Sequence, residues 1–101
     1  MKLPEVVDVF DAVDRGGFEK YALIMAIKLA LSRDDLERAK RYAAFAVAAD
    51  SQSTGVMEAA GDYLVAAGNA SSARNAYDAA LRLSPGRESV TKKIAALDDG
   101  E

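Results

Sequence analysis

Apolar residues recur along most of this chain at spacings of three and four, which line up side chains on one face of an α-helix. The first such stripe consists of Val6, Val9, Phe10 and Val13. A later stripe consists of Leu36, Ala39, Ala43, Ala46 and Val47. No stretch alternates apolar and polar residues with a period of two, so the pattern predicts helices and no strands.

Four turn signals, together with a helix-capping sequence that starts at Asp34, divide the chain into six predicted helices. Residues that favour turns over helix occur at Gly16-Gly17, in the cluster 50–55, at Gly68-Asn69 and at Ser84-Pro85-Gly86. The predicted helices are a short one over 4–14 and longer ones over 18–33, 34–49, 55–67, 71–83 and 85–98. Short connections between long helices predict that neighbouring helices run antiparallel.

Capping residues mark several of the predicted helix starts. Asp34 and Glu37 have the spacing of a capping box at the start of the third helix. Ser71 or Asn69 is placed to cap the fifth helix. Ser84 is placed to cap the last helix, in which proline occupies the first position.

The composition favours one closely packed helical domain. The chain has 101 residues, of which 50% are hydrophobic and 29% are charged, and 21 are alanine. A chain of this length suits one domain with a modest core. Alanine is the best helix former, and its small side chain lets helix backbones approach closely. We therefore expect residues 1–101 to form a single all-α domain.

Comparison of the chain with itself indicates a repeat with a period of about 34 residues, which is typical of stacked helical hairpins. At this offset three alanines coincide with alanines: Ala26 with Ala60, Ala39 with Ala73, and Ala46 with Ala80. Small residues are expected where two helices of a pair touch, because a larger side chain would push the helices apart. The repeat therefore predicts two hairpins of the same design.

The second unit of the repeat, residues 54–87, resembles the tetratricopeptide repeat, a helical hairpin with the same period. The residues that carry the resemblance are Ala60, Gly61, Gly68, Ala73, Tyr77, Ala80 and Pro85. Met57 stands where the family favours tryptophan, and Leu64 stands where it favours tyrosine. The resemblance implies a solenoid of helical hairpins whose concave surface binds other proteins.

The rest of the chain fits the same register less closely. The first unit, residues 20–53, replaces the family's glycine, aromatic and proline with Ile27, Ala43 and Ser51. Residues 1–17 fit half of a further repeat, with Val9 and Ala12 at the aromatic and second alanine positions. Residues 88–98 are expected to form a C-terminal capping helix.

The residue inventory argues against catalysis. The chain has no histidine and no cysteine, which excludes catalytic triads, thiol nucleophiles and most transition-metal sites. Carboxylate pairs such as Asp34-Asp35 are explained by helix caps and solvated helix faces. No glycine-rich loop follows a strand, so no phosphate-binding loop is predicted. We therefore expect no enzymatic activity, no cofactor and no metal.

Charge and hydropathy set expectations about partners and location. The formal net charge is −3, and lysine and arginine form no cluster of the kind that nucleic acids and anionic membranes require. The start of the chain lacks the apolar run of a signal peptide, and Lys28 interrupts the longest apolar stretch, 21–32. We expect a cytoplasmic protein that binds neither nucleic acid nor membrane.

The helix predicted over 18–33 carries apolar residues on two faces. The arc expected to face the core consists of Ala22, Leu23, Ala26, Ile27, Leu29 and Ala30. The opposite arc carries Tyr21, Ile24, Met25, Lys28 and Leu31. In the tetratricopeptide register this arc faces the concave groove, so it is predicted to anchor and select a partner. In the alternative interpretation, the first predicted helix folds over the arc.

Charged residues continue the predicted groove. Glu58 and Asp62 lie on the next concave helix, and Lys92 and Lys93 lie on the last one. The groove is thus expected to be apolar at one end, acidic in the middle and basic at the other, which favours one binding direction for a peptide. An alternative with equal support is that these residues form a solvated face.

Some tetratricopeptide proteins hold the terminal carboxylate of a chaperone tail with Lys, Asn, Asn, Lys and Arg. The corresponding residues in this chain are Ile24, Lys28, Ala59, Ser89 and Lys93. Lys93 alone offers a comparable charge. Recognition of a chaperone tail in that manner is therefore not expected.

Two functions suit the predicted solenoid. The first is a protein-interaction module, or adaptor, that binds a peptide or protein in the concave groove. The second is a structural role in which the same apolar arc is buried in a homo-oligomer. Related helical repeats also bind RNA, but the acidic balance of this chain disfavours that function.

Overall fold

The computed structural model of the protein describes residues 20–99, and the surroundings of the side chains from Ala22 to Asp98. The short helix predicted over 4–14 lies outside the described residues. Within them the chain forms five α-helices joined by short turns, and no strand. The helices are α1 (Lys20–Ser32), α2 (Leu36–Ala49), α3 (Thr54–Ala66), α4 (Ala70–Leu83) and α5 (Glu88–Asp99).

Helix α5 begins later than predicted, whereas the other four begin and end within two residues of their predicted bounds. Ser84 does not cap α5, because its N–H donates to the Ala80 carbonyl at 2.9 Å and ends α4. The Arg87 N–H donates to the Ser84 carbonyl at 3.2 Å. Residues 84–87 therefore form a tight turn, and α5 starts at Glu88 after this turn is complete.

The turn inside each hairpin uses the same backbone bonds. Asp34 follows α1 with a φ of 58°, and Gly68 follows α3 at the equivalent position of the next repeat, with a φ of 82°. In each turn the N–H of the next residue donates to the carbonyl five residues earlier, at 2.8 Å after α1 and 2.9 Å after α3. This is the Schellman ending of a helix, which gives partners to carbonyl groups that would otherwise lack them.

The helix caps differ in part from the predicted ones. Asp35, and not Asp34, caps α2, because its carboxylate accepts from the Arg38 N–H at 3.1 Å while Asp34 occupies the left-handed turn position. Asn69 rather than Ser71 caps α4, where its side chain accepts a backbone N–H at 3.2 Å. Both caps lie directly after the left-handed residue of the turn.

The helices stack in chain order. Helix α1 packs against α2 and α3, α3 also packs against α2 and α4, and α5 packs against α4. Helices α1 and α3 begin one repeat period apart, and so do α2 and α4, in agreement with the sequence. The alanines that coincide at this offset are all buried, as close helix contacts require: Ala26, Ala39, Ala46, Ala60, Ala73 and Ala80. The described chain is therefore all-α, with two stacked hairpins followed by a further helix.

Two apolar clusters form the core. The first joins α1, α2 and α3, and its largest side chains are Leu23, Ile27, Tyr42 and Val56. The second joins α4 and α5 with part of α3, and its largest buried side chains are Tyr77 and Val90. The arc of α1 that was predicted to face the core is buried or partly buried throughout.

Candidate functional site

A pocket of about 470 Å³ opens between α1, α3 and the turns that precede α3 and α5. The residues that determine its chemistry are Ile24, Lys28, Ser53, Gly55, Glu58 and Arg87. Helices α1 and α3 are the first helices of successive hairpins. The pocket therefore lies on the side of the stack where these first helices are neighbours.

The contact between α1 and α3 builds an apolar wall of the pocket. Ile24 lines the pocket and is partly buried against the first core cluster. Gly55, in the first turn of α3, leaves room for it, because a Cβ atom there would lie 2.9 Å from the Ile24 Cδ1 atom. Ser53 caps α3 by accepting the Val56 N–H at 3.3 Å, which secures that first turn beside the pocket.

Lys28 supplies a cation to the pocket. It is exposed and lies one helical turn after Ile24, on the same face of α1. Among the described residues, no carboxylate lies within ion-pair distance of its ammonium group. Its charge is therefore available to a ligand as far as the described part of the chain is concerned.

Glu58 is almost fully buried, with 9% of its side chain exposed. Its carboxylate accepts from Arg87 Nε at 2.8 Å and from Lys93 Nζ at 2.7 Å. Burial alone would raise the pKa of Glu58, but interactions with Lys93, Ser89 and Arg87 outweigh it and hold the pKa below its ordinary value. The two ion pairs tie α3 to α5 and to the turn before α5.

Asp62 continues this network one turn further along α3. Its carboxylate accepts from the Tyr77 hydroxyl at 2.6 Å and from Lys93 Nζ at 3.0 Å. Burial and the bond to Asp62 both raise the pKa of Tyr77, so this phenol stays neutral at physiological pH. Burial would lower the pKa of Lys93, but its bonds to Glu58 and Asp62 outweigh it and raise the pKa.

The structure brings together part of the predicted partner site. Ile24, Lys28 and Glu58 line one pocket, and Asp62 and Lys93 lie in the ion-pair network that Glu58 joins to that pocket. The predicted acidic centre and basic end of the groove are bonded to each other. The acids therefore do not present a separate negative patch.

The other predicted anchors do not line this pocket. Met25 is 57% exposed, and Lys92 is exposed on α5. Leu31 is partly buried against the first core cluster. The backbone of Tyr21 lies in α1, but its side chain is outside the described side chains. Helix α1 thus exposes less apolar surface than the sequence predicts, because Ile24 and Leu31 pack partly against the core.

Arg87 is a pocket residue that sequence reasoning missed, since it fell within the last predicted helix and was given no role in the groove. It lies one repeat period after Ser53, which caps α3 and lines the same pocket. The repeat register was the signal that could have linked the two residues. The hydroxyl bond of Tyr77 was also missed, because an aromatic position in the repeat predicts packing and not a polar partner.

The polar side chains of the pocket are suited to ionic and hydrogen-bond contacts with a ligand. Every buried side-chain nitrogen or oxygen between Ala22 and Asp98 has a hydrogen-bond partner.

The described residues contain no group of three or more potential metal ligands. None of the helices α1–α5 is long and apolar enough to cross a membrane.

The arrangement of the helices matches a known fold. No protein-family model matches the sequence, and no curated protein is detectably similar to it. The chain is similar to a solved structure described as the first TPR of Spaghetti (RPAP3) bound to HSP90 peptide SRMEEVD. The TM-score is 0.83 at 15% sequence identity, and the match covers 94% of this chain and 75% of the other. The predicted fold is thus confirmed, and the chain has a tetratricopeptide-like fold.

Proposed function

We propose that this chain, with its tetratricopeptide-like fold, is a protein-interaction module that binds a peptide or protein partner in the pocket between α1 and α3. In this proposal residues 20–53 and 54–87 are its two repeats, and residues 88–98 are the capping helix. The observation that carries the proposal is an open pocket of about 470 Å³ that combines an apolar wall with an available cation. Helical solenoids use the surface formed by successive repeats for binding.

The chemistry of the pocket favours a peptide that carries an apolar side chain next to a carboxylate. Ile24 offers apolar surface, and Lys28 offers a positive charge one helical turn away. An exposed cation attracts an acidic partner and improves its orientation during association. Further partner contacts are proposed at Tyr21, Met25, Leu31 and Lys92.

The peptide bound by the similar solved domain, SRMEEVD, is also acidic, since it contains two glutamates and one aspartate. That likeness does not extend to the chaperone-tail contacts of the family. Lys93 is the one residue that keeps a positive charge where the family has one, and it is bonded to both Glu58 and Asp62. We therefore expect a partner other than a chaperone tail held by its terminal carboxylate.

The test starts from short peptides selected from a random phage-displayed library on the full chain. Fluorescence anisotropy then measures their affinity for Lys28→Glu and for Arg33→Glu, which makes the same charge change outside the pocket. We expect Lys28→Glu to weaken binding by about tenfold or more and Arg33→Glu to have little effect. Equal affinities of the two variants would exclude this pocket.

A second pair of variants tests the apolar wall. Ile24→Ala should weaken the selected peptides, while Leu36→Ala, at an exposed leucine on α2, should not. Because Ile24 is partly buried, circular dichroism must show that the variant is folded at the assay temperature.

Self-association through the same surface is the competing function. Sedimentation velocity over a wide concentration range separates the two functions, since a strict monomer that binds peptides has no homo-oligomeric role. Two results together would favour self-association over peptide binding. The chain would form a dimer that dissociates when Met25→Asp is introduced, and it would select no peptide from the library.

A further inference from the structure

The guanidinium group of Arg87 is bonded at one edge only, as far as the described residues are concerned. Its Nε atom donates to Glu58 Oε1 at 2.8 Å. Neither of its two terminal Nη amino groups has a hydrogen-bond partner in the described part of the chain. Arg87 is exposed and lines the pocket between α1 and α3. The edge with the two Nη groups is therefore left for a ligand.

Glu58 holds Arg87 at the pocket. Its carboxylate is nearly buried, and its second oxygen accepts from Lys93 Nζ at 2.7 Å. Because Lys93 occupies that oxygen, Glu58 accepts a single bond from Arg87, at Nε. A side chain that is already held by such a bond loses less conformational freedom when it binds a ligand.

The charges of this network alternate and end in a cation at the pocket. Lys93 also donates to Asp62, so the order along the network is Arg87, Glu58, Lys93 and Asp62. The two cations and two carboxylates of this row cancel. Lys28 lines the pocket from α1 and has no carboxylate within ion-pair distance among the described residues. The five groups therefore carry one net positive charge, which a single carboxylate neutralises.

We propose that Arg87 determines which partner the pocket accepts, because its Nη groups and the ammonium group of Lys28 together bind one carboxylate of the partner. The edge of a guanidinium presents two parallel N–H groups, which match the two oxygens of a carboxylate. Ile24 is the apolar contact beside this carboxylate. This role of Arg87 rests on the proposed function, since the partner must bind in the pocket between α1 and α3.

The arrangement differs from the carboxylate contacts of chaperone-binding tetratricopeptide proteins. Arg87 lies in the turn before α5 and is none of the residues that correspond to those contacts. Lys93 does correspond to one of them, but it is bonded to Glu58 and Asp62. Arg87 thus supplies a positive charge from a position to which the family resemblance assigns no role.

The test uses the full chain and the peptides selected on it. Each acidic residue of a peptide is replaced in turn by its amide, and fluorescence anisotropy gives the Kd of the acidic and amide versions. We expect the amide version at one position to bind the natural chain about tenfold or more weakly. Arg87→Gln should reduce this Kd ratio to about threefold or less. Arg82→Gln, which makes the same charge change outside the pocket, should leave the ratio unchanged.

The Kd ratio remains informative if Arg87→Gln destabilises the fold. Both versions of the peptide meet the same fraction of folded chain, so a loss of folded protein weakens both equally and cancels in the ratio. A ratio that stays at the value of the natural chain therefore overturns the role of Arg87, whatever the stability of the variant.

A second variant distinguishes the guanidinium edge from its charge. Arg87→Lys keeps the positive charge but cannot make two parallel N–H bonds, so it should also reduce the Kd ratio. An unchanged ratio would overturn binding through the Nη groups. Peptides with a free and with an amidated C-terminus tell a terminal carboxylate from a side-chain carboxylate, and in either case the preference must depend on Arg87.

Failure of this role and failure of the proposed function give different results. If no peptide is selected, or if Lys28→Glu and Arg33→Glu bind the peptides equally well, both are rejected. If Lys28→Glu weakens binding while Arg87→Gln leaves the Kd ratio unchanged, only the role of Arg87 is rejected. Selected peptides that bind equally well after every acidic residue is replaced by its amide also reject that role.

Discussion

Gly61 of α3 lies against the ring of Tyr77 in α4. A Cβ atom on Gly61 would come within 3.0 Å of three carbon atoms of that ring, closer than packed side chains approach. One period earlier the sizes are exchanged, because the corresponding residues are Ile27 and Ala43, and both are buried. At this contact each hairpin thus combines one large and one small side chain. The large side chain belongs to the first helix in the first hairpin and to the second helix in the second hairpin.

This contact predicts that a single added methyl group will lower the stability of the fold substantially. Gly61→Ala should lower the free energy of unfolding by about 1–3 kcal/mol, because Tyr77 must shift from its hydrogen bond with Asp62 or α3 must move away from α4. Gly86→Ala is the control, since its added Cβ has no heavy atom of a non-neighbouring residue within 4 Å. Urea denaturation followed by circular dichroism measures both variants, and equal stabilities would contradict the packing described.

Substitutions of the two left-handed turn residues, which lie at equivalent positions of the repeat, are predicted to have opposite effects on stability. Asp34→Gly should raise the free energy of unfolding by about 0.5–1 kcal/mol, because glycine adopts a positive φ without the steric penalty of a side chain. Gly68→Ala should lower it by about 1 kcal/mol for the same reason. Thermal denaturation monitored by circular dichroism gives the sign, and a stabilising Gly68→Ala would refute the turn geometry.

The buried carboxylate of Glu58 predicts that its charge stabilises the fold. Glu58→Gln should lower the free energy of unfolding by about 1–2 kcal/mol, since Arg87 and Lys93 lose their anionic partner while remaining partly buried. Asp78→Asn is the control and should change stability much less, because Asp78 takes no part in the ion pairs of Glu58 with Arg87 and Lys93. Chemical denaturation at neutral pH distinguishes the two variants.

The same network predicts how stability depends on pH. The folded state lowers the pKa of Glu58 below its ordinary value of 4.5. The stabilisation that Glu58 gives to the folded state is therefore present above that pH and is lost as the pH falls. The folded state raises the pKa of Lys93 above 10.5 and that of Tyr77 above 10.0. The stabilisation that these two groups give to the folded state is therefore lost as the pH rises beyond these values. The midpoint of urea denaturation should therefore be lower at pH 3 than at pH 7, and Glu58→Gln should reduce that difference.

Much of the fold could be predicted because its determinants are local. Apolar spacing, turn residues and the repeat offset located four of the five described helices to within two residues. Errors occurred where neighbouring residues competed for one role. Asp34 and Asp35 can both cap a helix, and the Schellman turn after α1 assigned the cap to Asp35. Ser84 can both end α4 and begin α5, and it ends α4.

The candidate site was less predictable because its residues are far apart in the sequence. Arg87 and Lys93 reach Glu58 across 29 and 35 residues. No helical spacing relates such positions. Their meeting depends on how α5 lies against the rest of the stack. The repeat register places Arg87 beside the pocket, but it does not indicate which carboxylate the guanidinium binds.

Sequence alone specified the helices, their turns, the small residues at helix contacts and the period of the stack. These features depend on backbone preferences and on side chains within a few positions of one another. The packing of the helices was needed to show that Glu58 is buried and paired and that Ile24 and Leu31 are partly covered. It was also needed to place Lys28 in a pocket with Arg87. Ion pairing and solvent exposure depend on distances between helices, and those distances are set when the helices pack together.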